Sequence, residues 1–218
     1  AMAIEAVTKA IERWDGTVDS ITHIIMCTST EYMAPSLEMR IMSELKMDPS
    51  IMRVPIVMAG CAAGGLALQM AYHIVKADPT SNVLVVATEC VSPHLYRPST
   101  FTIDTAISTT IFSDGAGALI VSSTGRYRIS SPTSYTIPST LKEMEIEPRD
   151  GGIHVALSKK IHTFTSEHVM PMVHRMMDGK PDGYILHPGG KSILNAIATK
   201  IDGPIISSWD ILSKYGHT

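Results

Sequence analysis

The chain has little of several features that would assign it to a class of protein at once. Its 218 residues include only three cysteines, Cys27, Cys61 and Cys90, which lie far apart and form no CxxC pair. This spacing argues against a disulfide framework and against a zinc site built on thiolates. A reducing, cytoplasmic setting is the expectation that follows.

The charge balance and the lengths of the apolar runs exclude several classes of protein but assign none. Lys and Arg together number 18 and Asp and Glu 21, so the formal charge is -3 and gives no electrostatic footprint for nucleic acid. No apolar run approaches the length of a membrane span, and we recognise no signal peptide before the first predicted helix. Hydrophobic residues make up 44% of the chain, which is enough to build a core.

The most informative stretch runs from Val54 to Lys76. A short apolar run ends at Gly60, Cys61 follows, and the small residues 62–65 open a segment with apolar positions at helical spacing. The pattern predicts a strand, a tight turn and a buried helix, with the cysteine at the turn. The helix dipole and the unpaired N–H groups at this turn favour the thiolate form of Cys61. Residues bulkier than those at 62–65 would crowd the backbone and block the approach of a substrate to the sulfur. We therefore predict that Cys61 is a nucleophile and not a buried structural cysteine.

Two histidines near the carboxyl end of the chain add polar chemistry. His187 follows the apolar run Tyr-Ile-Leu and precedes Pro-Gly-Gly, which places it at a predicted strand end. Open α/β sheets bind their ligands at that end, so His187 is a candidate base or oxyanion donor if it pairs with the reactive cysteine, and a structural residue if it does not. His217, after Gly216, offers a further polar group on a glycine turn.

Three further histidines and Glu89 are interpreted as residues without a catalytic role. His162, His168 and His174 are six residues apart, which on a helix directs them to three faces, so we predict no metal site. Glu89, beside Cys90 at a strand end, is interpreted as a buried carboxylate that braces the Cys61 turn instead of touching substrate.

Strand and helix patterns alternate along the rest of the chain. Besides the helix after Cys61, helices are predicted at 3–14, 37–45, 165–177 and 192–201, and strands at 21–27, 82–88, 118–122, 127–135, 151–157 and 183–186. The alternation predicts an α/β fold of two βαβ-type halves, with mostly parallel sheets covered by helices. The halves join near Gly125, which predicts domains at residues 1–125 and 126–218.

With its motifs in this order, the chain resembles the thiolase-fold condensing enzymes, and among them the type III polyketide synthases of the chalcone-synthase-like family. The supporting stretches are 21–30 (ITHIIMCTST), 59–65 (AGCAAGG), 83–89 (VLVVATE), 111–121 (IFSDGAGALIV) and 186–190 (LHPGG). The similarity extends over almost the whole chain, which looks short at both ends relative to the family.

The resemblance implies an acyltransferase that joins malonyl-CoA to an acyl starter by decarboxylative condensation. Cys61 matches the cysteine that carries acyl chains as thioesters, and His187 the histidine that activates it and binds the thioester oxygen. His217 stands where the family has a catalytic asparagine, and an imidazole N–H can also donate to an oxyanion. Phe112 matches a gatekeeping phenylalanine, while the second gatekeeping aromatic falls near Val155, which would widen the cavity.

The resemblance also implies binding residues and partners. Positions that line the family's cavity match Thr28, Ser29, Thr30, His94 and Ser108. The expected substrates are coenzyme A thioesters, with no bound cofactor and no metal. The expected assembly is a homodimer, with no nucleic-acid or membrane partner.

Two other functions remain open at this point. An initiating ketoacyl synthase of fatty-acid synthesis would take malonate from acyl carrier protein, and would want a basic patch for that acidic partner, whereas the cations here are scattered along the sequence. A non-catalytic thiolase-fold remnant, acting as a binding protein, is favoured by the departure at His217. It is opposed by the retention of Cys61, His187 and Phe112.

Overall fold

The computed structural model describes residues 1–31, 33–94, 106, 109–149 and 152–217, and the chain divides into two compact units. The first unit comprises Ala1–Cys90 and Gly115–Ser134, and the second Val91–Asp114 and Tyr135–Thr218. The division of the chain at residue 125 stays a prediction. The helices and strands of the first unit are α1 (Met2–Glu12), β1 (His23–Thr28), α2 (Leu37–Glu44), β2 (Met52–Val57), α3 (Ala63–Ala77), β3 (Val83–Glu89) and β4 (Gly115–Val121).

The four strands of the first unit form one sheet in the order β2-β1-β3-β4. Strand β1 runs parallel to both of its neighbours, and β4 pairs antiparallel with β3. The mostly parallel sheet predicted from the sequence is thus confirmed for this unit. Because parallel strands end at the same edge, Thr28, Val57 and Glu89 close their strands at one edge of the sheet.

Side chains of β1 and β3 alternate between two buried clusters, one with helices α1 and α2 and the other with helix α3. The first cluster includes Ile24, Met26, Leu84 and Val86, and the second Ile25, Cys27, Val83 and Val85. Burial on both faces explains why these strands are continuous apolar runs in the sequence. The alternation directs Cys27 toward α3, where its Sγ lies 3.5 Å from the carbonyl oxygen of Ala63.

The described residues of the second unit include a hairpin and several helices. Among these elements are β5 (Met144–Arg149), β6 (Gly152–Leu157), α4 (Ile161–Met176), α5 (Lys191–Ala198) and α6 (Ser208–Tyr215). Strands β5 and β6 pair antiparallel, so the parallel arrangement predicted for this half is not what the described strands adopt. Helix α4 packs against α5.

Two of the predicted strands are wrong. Residues 127–135, all of them described, form no regular strand. This segment contains Pro132, which cannot donate to a ladder, and Tyr127 is 84% exposed, so it offers no buried face. Residues 183–186 make only an isolated parallel bridge between Tyr184 and Ile205, and Ile185 is 81% exposed, so this apolar run is not a buried strand.

Helix α6 and strand β5 were not predicted. No helix among the described residues combines the length and the apolar character needed to cross a lipid bilayer.

Candidate active site

The Cys61 turn joins the end of β2 to the start of α3. Met58 and Gly60 both have left-handed backbones, with φ angles of 58° and 55°, and a short 3-10 helix, Gly60–Ala62, leads into α3. The predicted order of strand, turn and helix is therefore confirmed. A left-handed methionine is an unfavourable backbone state of the kind that clusters at functional sites. Cys61 is exposed at this turn.

Hydrogen bonds from the neighbouring strand ends hold the turn in place. The Glu89 carboxylate accepts the backbone N–H of Ser29 at 2.8 and 3.1 Å and the Thr30 hydroxyl at 2.7 Å. The Ser29 hydroxyl in turn accepts the backbone N–H of Gly60 at 3.2 Å. Glu89, which is half-buried, thus braces the Cys61 turn through Ser29, as interpreted from the sequence. That it does not touch substrate stays a prediction.

The polar residues at the end of β1 bond to their own loop and to the residues at the end of β3. The Thr28 hydroxyl accepts the backbone N–H groups of Thr30 and Glu31 at 3.3 and 3.2 Å, and Thr28 is buried. The Thr30 hydroxyl also accepts the backbone N–H of Cys90 at 2.8 Å. That Thr28, Ser29 and Thr30 line a substrate cavity stays a prediction.

The electrostatics of the thiol differ from the expectation. Desolvation raises the pKa of the Cys61 thiol above its ordinary value, a hydrogen bond with its own backbone lowers it in part, and the charge of Glu89 raises it further. The prediction that the turn by itself favours the thiolate is therefore wrong, because loss of hydration outweighs the local N–H group. Burial, with a smaller contribution from Glu89, raises the pKa of Cys27 to about 11.

Two of the small residues after Cys61 have room for a small side chain. A Cβ built on Gly64 or on Gly65 meets no atom of the described residues within 4 Å, whereas Ala63 is buried in the cluster under α3. A methyl group would therefore not crowd the backbone at Gly64 or Gly65. That these positions leave space for a substrate stays a prediction.

In the second unit, His187 lies in the turn between the Tyr184 bridge and helix α5. Its carbonyl oxygen accepts the backbone N–H of Gly189 at 2.9 Å, which tightens the turn. A Cβ on Gly189 would lie 3.3 Å from Nε2 of His187, so glycine here gives the imidazole room. The turn thus holds His187 in place, although the run before it forms only the isolated Tyr184 bridge and not the predicted strand.

His217 is positioned by residues 111–113. Its backbone N–H donates to the carbonyl oxygen of Ile111, and its carbonyl oxygen accepts the backbone N–H of Ser113, both at 2.9 Å. Gly216, with a φ of 80°, makes this approach possible, because a Cβ there would lie 3.0 Å from the Ile111 oxygen. The Phe112 and His217 rings pack with centroids 4.5 Å apart, and His217 is only 8% exposed.

The two imidazoles meet edge to face. Their Nε2 atoms lie 2.9 Å apart and their ring planes are inclined by 69°. Desolvation lowers the pKa of both rings, to about 4 for His217, where the charge of His187 adds to the effect and a hydrogen bond with the backbone of Gly189 opposes it. Both rings are therefore neutral near pH 7. One donates its Nε2–H and the other accepts with a bare Nε2.

The structure distributes the remaining predicted residues as follows. His187, His217 and Phe112 come together in the second unit. His94 ends a short 3-10 helix, Ser92–His94, and Val155 lies on β6 opposite Ile146. Ser108 lies outside the described residues. The Ser29–Gly60 hydrogen bond was missed, although the polar run directly after an apolar strand was a signal for it.

The α/β fold is thiolase-like, and its nucleophile candidate lies in the turn between a strand of a mostly parallel sheet and the helix that follows. A family model for chalcone and stilbene synthases, N-terminal domain, matches residues 1–125. The chain therefore belongs to the chalcone and stilbene synthase family, and the resemblance found in the sequence is confirmed.

Solved structures support the same assignment. The chain is similar to 1,3,6,8-tetrahydroxynaphthalene synthase from Streptomyces coelicolor A3(2), a bacterial type III polyketide synthase, with a TM-score of 0.88 and 26% identity over 98% of the chain. It is also similar to the C-terminal type III polyketide synthase domain of Steely1, a type I/III hybrid from Dictyostelium, with a TM-score of 0.85 and 26% identity over 99% of the chain. The chain spans 64% of the length of each.

Proposed function

We propose that the protein catalyses decarboxylative condensation of malonyl-CoA with an acyl starter carried on Cys61. The observation that carries this proposal is the contact between exposed His187 and buried His217, because it sets two neutral imidazoles at hydrogen-bonding distance. Enolates and tetrahedral thioester adducts need preorganised N–H donors of this kind. Membership of the family supports the same chemistry.

The reaction divides into three balanced steps. The Cys61 thiolate attacks the starter's thioester carbonyl, a new carbon–sulfur bond forms, and coenzyme A leaves as its thiol after taking a proton. Malonyl-CoA then loses carbon dioxide, and the electron pair of the broken bond becomes an enolate. The enolate carbon attacks the acyl carbon, and Cys61 leaves as a thiolate that is ready for another cycle.

The histidine pair supplies protons and donors to these steps. Because the pKa of Cys61 is raised, its thiol has to give up a proton before attack, and a neutral imidazole is the acceptor we assign. In the resting pair, only one proton lies between the two Nε2 atoms. While the pair holds the cysteine's proton, both rings carry an Nε2–H and both can donate to the oxygen of the starter's thioester. After that proton has left with coenzyme A, one Nε2–H remains on the pair to donate to the enolate oxygen.

The gatekeeping positions bear on the choice of starter. Phe112 packs on His217, while β6 carries Val155 where the family's second aromatic falls. Loss of that aromatic would enlarge the cavity, so we propose that the site accepts long or bulky acyl starters. We also propose that the protein acts as a homodimer on free coenzyme A thioesters without a bound cofactor.

One observation favours the ketoacyl synthase as a second candidate. Lys9, Arg13 and Arg126 line a single surface groove in the first unit, so these cations, scattered in the sequence, are gathered in the structure. Lys9 forms an ion pair with Glu5 at 2.5 Å, which offsets part of this positive charge. An acidic carrier protein would dock on such a patch.

The test supplies the full-length protein with malonyl-CoA or malonyl-acyl carrier protein, together with acetyl-CoA and a long-chain acyl-CoA in competition. We expect polyketide product from malonyl-CoA, with the long-chain starter preferred. Turnover with the carrier protein alone would support the ketoacyl synthase. A clear preference for acetyl would contradict the enlarged cavity, and absence of product and of carbon dioxide would contradict catalysis.

A further inference from the structure

A buried serine hydroxyl forms hydrogen bonds with the backbone of the residue directly before His187. The Oγ of Ser208 accepts the backbone N–H of Leu186 at 2.9 Å and donates to the carbonyl oxygen of the same residue at 2.8 Å. Ser208 is 2% exposed. One hydroxyl therefore satisfies both polar groups of the residue that precedes the histidine, as a neighbouring strand would.

The Ser208 hydroxyl extends a short parallel backbone pairing between Tyr184 and residues 204–206. The backbone N–H of Tyr184 donates to Pro204 at 2.9 Å, and the carbonyl oxygen of Tyr184 accepts the N–H of Ile206 at 2.7 Å. At Ser207 the chain turns through a left-handed backbone, with a φ of 62°, and ends the pairing. The Ser208 side chain then takes the place of the next backbone partner.

Ser208 is also the first residue of the helix that leads to His217. Helix α6, Ser208–Tyr215, is followed by Gly216 and then by His217. The same residue thus holds the segment that carries one imidazole and starts the helix that delivers the other. The 2.9 Å distance between the two Nε2 atoms depends on both placements.

We propose that Ser208 is a positioning residue that fixes His187 relative to His217 through its hydroxyl. It does not act on substrate itself, and the inference rests on the proposed function of the histidine pair. Removing the hydroxyl leaves the N–H and the carbonyl of Leu186 without this partner and frees the His187 turn to shift. Misplacement of a catalytic group by about 1 Å can cost on the order of 100-fold in rate.

The experiment compares four variants of the full-length protein. Ser208→Ala removes the hydroxyl, and Ser208→Cys keeps nearly the same volume with a weakly hydrogen-bonding thiol. Ser208→Thr retains the hydroxyl. Ser213→Ala is the matched control, since Ser213 lies on the same helix, is exposed, and bonds only to the local carbonyl oxygen of Asp210 at 3.0 Å.

We expect Ser208→Ala and Ser208→Cys to lower kcat for malonyl-CoA decarboxylation by about 10- to 100-fold, while KM changes less than about threefold. Ser208→Thr and Ser213→Ala should stay within about threefold of wild type. Nitrogen NMR of the imidazoles should show the hydrogen bond between the rings lost in the alanine and cysteine variants only. If Ser208→Ala does not fold, Ser208→Cys decides.

Unchanged kcat and ring signals in the folded cysteine variant would overturn the proposal. So would a threonine variant as impaired as the cysteine variant, because the hydroxyl would then not be the cause. A wild-type protein without decarboxylase activity would contradict the proposed function instead. The ring signals would still decide whether Ser208 positions the pair.

Discussion

The Nε2 atoms of His187 and His217 lie 2.9 Å apart, so the two imidazoles bond to each other in the resting protein. Only one of them carries a proton on the facing nitrogen. A family member with asparagine at this position has an amide N–H that donates without depending on a tautomer. Under the proposed function, histidine at position 217 would tie oxyanion binding to the protonation of the pair, whereas asparagine would not.

The first prediction concerns His217 itself. Replacing it with alanine removes one donor, which typically costs ~10²–10³ in turnover, so His217→Ala should lower malonyl-CoA decarboxylation by about that factor. His217→Asn should keep much of the activity, because its amide restores an N–H at similar reach. Carbon dioxide release from the three full-length proteins measures this. Equal rates in wild type and the alanine variant would leave His217 without a catalytic role.

The second prediction concerns the reactivity of the cysteines. Cys61 is exposed, whereas Cys27 is 2% exposed with its pKa raised to about 11, and Cys90 is half-buried. Iodoacetamide needs both access and thiolate, so Cys61 should be alkylated before the other two. Peptide mass spectrometry after short exposures near neutral pH reads the order. Earlier labelling of Cys27 or Cys90 would show that the nucleophile assignment is wrong.

Much of the first unit could be predicted from the sequence because its two central strands, β1 and β3, are buried on both faces. Ile24, Ile25, Val85 and Val86 form apolar runs that no loop would carry. Strand β2 is largely exposed, so the Cys61 turn was predicted from the apolar run before it and the helical spacing after it. Glu89 could be placed as a brace because it ends strand β3.

The second unit was less readable because its contacts are distant and involve side chains. The His187–His217 bond joins residues 30 positions apart, and a backbone bridge pairs His217 with Phe112. No local sequence pattern encodes either contact. The run at 183–186 resembled a strand, yet its partners are one short backbone segment and the Ser208 hydroxyl. The raised pKa of Cys61 was missed for a related reason, since desolvation depends on packing that the helix-terminus pattern does not show.

The third prediction separates backbone strain from steric contact at Gly216. Gly216 and Gly179 both have left-handed backbones, with φ angles of 80° and 89°, but a Cβ on Gly179 meets no described atom within 4 Å. Gly179→Ala should therefore cost only about 1–2 kcal/mol in the free energy of unfolding and leave activity intact. Gly216→Ala should cost more and also lower decarboxylation, because its Cβ would displace the Ile111 carbonyl that holds His217. Chemical denaturation and carbon dioxide release measure the two effects. Equal losses in both variants would contradict the steric role.

The fourth prediction concerns the pH dependence of stability. The pKa of His217 is lowered to about 4 in the folded protein from 6.5, so the unfolded chain binds a proton between these values that the folded one does not. The free energy of unfolding should therefore fall as the pH drops from about 6.5 toward about 4, and His217 should account for on the order of 3 kcal/mol of this fall. Above about pH 6.5 the stabilising contribution of His217 is fully present. His187 contributes in the same direction.

The control for the pH prediction is His217→Asn, which has no titrating ring at this position. Its stability should fall less than that of the wild type over the same range. Denaturant titrations at several pH values compare the two proteins. Parallel stability curves would show that His217 is not held neutral by the fold.

The most direct test of the central claim is covalent loading of Cys61. The full-length protein is incubated with a radiolabelled acyl-CoA, denatured and separated by electrophoresis, beside Cys61→Ser and, as a matched control, Cys90→Ser. We expect label on the wild type and on Cys90→Ser, released by a thiol reagent that cleaves thioesters, and none on Cys61→Ser. Label that persists on Cys61→Ser, or no label on the wild type, would contradict the central claim.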